Sequence, residues 1–292
     1  MATVRELSEP YSAFMRNPLP PGAPGVCEVC LRFTDGSFPT CYPCGHRARY
    51  ADAVLPLSYT GYDGQLYHVL AQYKRQRNQT VARQLRLQLA AVLWRFLDTH
   101  ERCLGRAAGA GSRFDIVTTV PSSDAVRDEM HPLRSIVGEL AGPTRDRFQR
   151  LLTRSTLEAE KRDVVVEKFA PSAELSGASV LLIDDTWVSG GSVQSAAGAL
   201  KVAGSGAVGV LVFGRLIDQA YEDQGERLAA LPKQFDWEPA RSHARPDCVA
   251  QPLGRVAAAV ISWISVEHQP SSRAVSWSRW GRRSCIWSVN CV

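Results

Sequence analysis

Apolar and polar positions alternate along the chain in patterns that predict its elements. Between Asp63 and Leu104 apolar residues recur at three and four: Leu66, Val69, Leu70 and Tyr73, then Leu85, Leu89, Val92, Leu93 and Phe96. That spacing is the signature of helices burying one face. Asn78 and Thr80 interrupt the pattern, which predicts two helices, the second capped by one of those two side chains. Four apolar runs predict strands: VLPLSYTGY at 54–62 with its turn, FDIVTTV at 114–120 ending at Pro121, SVLLI at 179–183, and AVGVLVFGR at 207–215. A helix is expected over about 131–141, and a helix of small residues follows Ser192. Residues 1–26, with NPLPPGAPG, read as an extended lead-in, 105–112 (GRAAGAGS) as a linker, and 153–170 as polar and mixed. Strands alternating with helices predict an α/β protein with a parallel sheet flanked by helices.

Composition and charge change this picture only near the C-terminus. The chain of 292 residues is 45% hydrophobic and 22% charged, ordinary for a globular protein. No apolar run is long enough to span a bilayer, and MATVRELSEPYSAF lacks the apolar core of a secretory signal, so the expected compartment is the cytoplasm. Seven arginines, one aspartate and one glutamate after Ala240 account for the whole net charge of +5. The body is therefore neutral, although residues 68–106 form a locally basic stretch. The same tail holds four of the seven tryptophans and no lysine. Two readings fit it: a basic, aromatic binding tail, or a non-native sequence such as a shifted reading frame. The expected organisation is a cysteine module at 1–50, a main domain at 51–240 and a tail at 241–292.

Four of the eight cysteines form one cluster, Cys27-Glu-Val-Cys30 and Cys41-Tyr-Pro-Cys44, separated by ten residues. Each CxxC turn aims two sulfurs at one point, and a hairpin at Asp35-Gly36 brings the pairs together. Four thiolates with no open position predict a closed structural Zn²⁺ site. Redox thiols would not need the doubled spacing. His46, just beyond, is expected at the surface or behind the ligands.

The most informative stretch runs from Val180 to Ser192, VLLIDDTWVSGGS. An apolar strand delivers Asp184 and Asp185 to its C-terminal end, where open α/β sheets bind ligands. A Ser-Gly-Gly-Ser loop then enters a helix, and such loops let backbone N–H groups approach a phosphate. Carboxylates for sugar hydroxyls followed by a phosphate cradle suit a sugar phosphate.

This stretch resembles the phosphoribosyl diphosphate (PRPP) motif of type I phosphoribosyltransferases. The resemblance implies that Asp184 and Asp185 hold the ribose hydroxyls, and that Val188, Ser189, Gly190, Gly191 and Ser192 wrap the 5′-phosphate. Two departures stand out. Thr186 and Trp187 replace aliphatic residues, and Val188 stands where purine-type members often carry an acidic base, which argues against a 6-oxopurine acceptor. With the cysteine knuckle upstream, residues 25–220 resemble the competence protein F (ComF) family. That family's fold is a type I phosphoribosyltransferase-like parallel sheet with flanking helices plus a small N-terminal four-cysteine zinc module. By the same resemblance, Lys74, Ser122 and Ser123 stand near the pyrophosphate, with Arg127 close by. Arg154 and Arg162 lie in a loop that closes over the site. The usual arginine-rich run after Pro121 is replaced by SSDAVRDEMHPL.

The implied reaction is displacement of pyrophosphate from ribose C1′ by a nitrogen nucleophile, with Mg²⁺ on the phosphates. His131 is the nearest base by position, and no residue of the sequence stands out for that role. The alternative is a non-catalytic PRPP-fold accessory protein in DNA uptake or other single-stranded DNA handling, meeting competence-machinery proteins. The zinc knuckle and the basic 68–106 stretch support it. Walker A, HExxH and GxSxG motifs are absent.

Overall fold

A computed structural model describes residues 2–122, 128–160 and 162–238. Four strands form one parallel sheet: β1 (Ala53–Gly61), β2 (Ile116–Thr119), β5 (Ser179–Trp187) and β6 (Ala207–Ile217), in the order β1-β6-β5-β2. The short strands β3 (Leu152–Arg154) and β4 (Phe169–Pro171) pair antiparallel in a separate ribbon. The α/β class with a parallel sheet is therefore as the sequence pattern predicts.

Both faces of the sheet are covered, so the central strands read as continuous apolar runs rather than as alternation. On one face Leu181, Ile183, Leu211 and Phe213 pack with Leu66, Leu70, Leu89, Leu93 and Phe96 from α3 (Gln65–Arg75) and α4 (Gln79–Ala108). On the other face Val180, Leu182, Val208, Val210 and Val212 pack with the helix of small residues, Gly191–Val202. Cys27, Cys30, Cys41 and Cys44 belong to this second cluster. Each fully buried aliphatic side chain contributes about 1.5–3 kcal/mol of transfer free energy.

The break between the two long helices falls where predicted. Asn78 caps α4, its Oδ1 accepting from the amides of Thr80 (3.0 Å) and Val81 (3.2 Å). Four expectations are corrected. The lead-in is not wholly extended: α1 (Val4–Ser8) opens on a capping box in which Thr3 and Glu6 satisfy each other's amides, and a 3₁₀ helix, Glu9–Ala13, follows. Tyr11 and Met15 are buried against the sheet-covering helices, which draws the segment in. The linker is shorter, because α4 continues to Ala108 and stops at Gly109, whose φ of +78° ends the helix in the left-handed region. The helix expected over 131–141 is broken into α5 (Pro132–Ser135) and a π turn, Ile136–Leu140. Finally, β5 runs four residues past Ile183, so the acidic pair lies inside the strand.

Residues 235–237 close the described core. The Phe235 amide donates to Ser12 O (3.2 Å), Trp237 Nε1 donates to Ser12 Oγ (2.7 Å), and the Arg95 guanidinium lies over the Trp237 ring. Ser123, Arg127 and the tail at 241–292 lie outside the described residues. Among the described residues no helix is long and apolar enough to cross a membrane.

Candidate functional site

The C-terminal half of β5 carries Asp184 and Asp185 side by side, facing different surroundings. Asp185 is only 4% exposed and is engaged from α3 twice: Tyr73 donates its hydroxyl to Oδ2 (2.8 Å), and Lys74 forms an ion pair with the same oxygen. Lys74, which the resemblance puts near the pyrophosphate, is placed by the structure against Asp185. Tyr73, predicted only as a core residue, is the partner that sequence reasoning missed. The signal available was its place beside Lys74 on a helix docked to the sheet. Burial, and then the Asp185 charge, push the Tyr73 hydroxyl well above its ordinary range, so it stays a neutral donor.

Asp184 is half-buried, and its Oδ1 accepts the Asp185 amide (2.8 Å). Burial first, and then the neighbouring carboxylate, push its pKa from 3.8 up to about 7, against the pull of Lys74. His131 stands edge-on to Tyr73, and its Nδ1 accepts the Leu133 amide (3.3 Å). Burial, then Lys74, lower its pKa, which keeps the imidazole neutral at pH 7.

Beyond β5 the chain turns sharply. Gly190 has φ +81°, and a Cβ there would meet the Trp187 ring at 2.4 Å, so glycine is required on both counts. Trp187 is buried beneath the turn, whereas Val188 is exposed. Gly190 precedes α6 (Gly191–Val202) without a side-chain cap, and the Ser189 hydroxyl accepts only a long bond (3.4 Å) from the Gly191 amide. The first amides of α6 have no intrahelical acceptor and carry the positive end of the helix dipole.

The remaining predicted residues fall in two places. The Ser122 amide donates to Asp128 Oδ1 (2.7 Å), and Asp128 is also paired with Arg134. Arg162 lines a cleft of about 430 Å³ with Val188 and Ser189 on one wall and the cysteine segment on the other. Asp184 and Asp185 do not line that cleft. Arg154 lies over the Phe169 ring. Lys168, fully buried, donates to the carbonyl oxygens of Glu160 (2.5 Å) and Asp163, and so holds the loop that carries Arg162.

The four sulfurs of Cys27, Cys30, Cys41 and Cys44 lie within 4.8 Å of one another, buried and without disulfides. The Cys30–Cys41 separation of 3.7 Å matches the edge of about 3.8 Å that a tetrahedron with ~2.3 Å Zn–S bonds would have. Tight turns build the cluster: the Cys27 amide donates to Arg32 O (2.8 Å), and Leu31 takes φ +57° between them. Cys41 opens α2 (Tyr42–His46), which carries Cys44. Hydrogen bonds from Cys27, Cys41 and Cys44 hold the Cys30 thiol well below its usual range, and those with Cys27, Cys30 and Cys41 push Cys44 up. Four thiolates at this spacing repel one another without a cation between them. The cluster is placed to hold a metal such as Zn²⁺. His46 instead stacks on Tyr42 at the surface.

In comparisons with known proteins, no protein-family model matches the chain, and no curated protein matches it.

Proposed function

We propose that the chain binds PRPP with Mg²⁺ at the C-terminal end of β5, as a phosphoribosyltransferase-like protein of the ComF type with a zinc-stabilised cysteine module. The observation that carries this reading is the succession along one stretch of chain: two carboxylates, the left-handed turn at Gly190, and a helix N-terminus without a side-chain cap. Asp184 and Asp185 then accept from the ribose hydroxyls, and Val188 to Ser192 surround the 5′-phosphate. Lys74, already paired with Asp185, and Ser122 would serve the pyrophosphate, and Arg162 would meet the ligand from the cleft that it lines with Val188 and Ser189. Mg²⁺, when bound, would neutralise the pyrophosphate, and the acidic pair is suited to accept hydrogen bonds from its waters. The reaction class is displacement at C1′: the bond to pyrophosphate breaks, a bond to a nitrogen nucleophile forms, and that nitrogen gives up a proton. Neutral His131, edge-on to the Tyr73 that binds Asp185, is the candidate to take that proton.

Phosphorus NMR of PRPP mixed with the full chain tests the reading. The expected result is broadening of the 5′-phosphate resonance in the presence of Mg²⁺, lost in Gly190→Ala. All three phosphorus resonances staying sharp at millimolar PRPP would sink it. A second reading, single-stranded DNA binding, is favoured by one observation: Arg75, Arg77 and Arg83 are exposed where α3 passes into α4. Their joint replacement by Ala would then reduce a salt-sensitive affinity for an oligonucleotide.

A further inference from the structure

Arg215, near the end of β6, is 3% exposed and lies in register with Trp187 of β5. Its fork reaches two distant parts of the chain. On one side Nε donates to Cys30 O (2.8 Å) and Nη2 to Cys30 Sγ (3.5 Å). On the other, Nη1 donates to the carbonyl oxygens of Trp187 (3.1 Å), Val188 (3.2 Å) and Leu216 (2.6 Å). Among the described residues Arg215 forms no ion pair with a carboxylate. A buried cation without a counter-charge is costly. A zinc tetrathiolate, at a net charge of about −2, supplies that counter-charge.

We infer that Arg215 is a positioning residue through which metal in the four-cysteine site fixes the Trp187–Gly190 loop. With metal bound, the guanidinium is held against Cys30, and its remaining N–H groups hold the loop carbonyls in place. Without metal, the two cysteine turns are no longer tied together, Cys30 is free to shift under the fork, and the loop loses its anchor. For the ligand this means zinc-dependent affinity at the phosphate cradle, a consequence that rests on the PRPP reading above.

Hydrogen exchange by mass spectrometry on the full chain, zinc-loaded and chelator-treated, tests the coupling without any ligand. The variant is Arg215→Lys, which keeps the charge but cannot span both partners. In the wild type, zinc removal is expected to speed exchange of the Trp187–Gly191 amides about tenfold. In the variant those amides exchange at that faster rate with zinc present, and removal adds little, while Leu181–Ile183 stay protected. A wild-type loop indifferent to zinc over a protected β5 overturns the inference. So does a zinc-loaded variant whose loop exchanges at the wild-type rate, and this comparison stands even if metal removal opens β5 itself. Titration of PRPP into the zinc-loaded wild type separates the two claims: absence of binding there sinks the ligand reading and leaves the coupling intact.

Discussion

Asp184 and Asp185 are adjacent in sequence but differ in what they touch. Asp185 is fastened by Tyr73 and Lys74, and Asp184 is left with one backbone amide and its neighbour's repulsion. The sign of the resulting pH dependence follows from proton counting. An unfolded chain releases the Asp184 proton near pH 3.8, and the folded chain keeps it to about 7. Between those values the folded state binds more protons, so this residue costs stability progressively as pH rises through the window, and the cost is complete above it. Asp184→Asn is therefore expected to raise the urea midpoint at pH 8 and leave it little changed at pH 4, flattening the profile. An unaltered pH profile in the variant would contradict the assignment. At this scale the sequence showed the two carboxylates and Lys74 but not Tyr73 or Arg215. Both were readable as apolar-face or strand residues, and only the packing of α3 and the register of β6 give their polar ends a partner.

At the scale of elements, helix periodicity and strand runs were legible because burial of both sheet faces writes them directly into the chain. The Asn78 cap was readable for the same local reason. The Thr3–Glu6 capping box was equally local, but it was hidden by the Pro- and Gly-rich residues after it. The loop after β3 was the least readable, because it is held by individual polar side chains, Lys168 and Ser195 among them, rather than by a periodic pattern. Lys168 inserts a buried amine between carbonyls of Glu160 and Asp163. Lys168→Met leaves those carbonyls unpaired at a cost of about 1–3 kcal/mol. The expected outcome is tryptic cleavage after Arg162 about tenfold faster than in the wild type, with the sheet intact. Equal cleavage rates would show that the loop is held by something other than Lys168.

Across the whole molecule, the cysteine segment is built into the face of the sheet that carries the turn after β5. Cys30 and Trp187 belong to one hydrophobic cluster and share Arg215 as a hydrogen-bond donor. Doubled CxxC spacing made the cluster legible, since four sulfurs converge by local turns alone. Its seat beside the 187–190 loop was not, because it depends on which strands are neighbours, and strand order β1-β6-β5-β2 is set by long-range pairing. The central claim is that this end of the sheet binds PRPP. Calorimetric titration of PRPP into the zinc-loaded full chain, with and without Mg²⁺ and alongside Asp184→Asn/Asp185→Asn, tests it most directly. The account predicts saturable, magnesium-dependent heat in the wild type and none in the folded double variant. Absence of heat in the wild type at millimolar PRPP, or equal binding by both proteins, would contradict it.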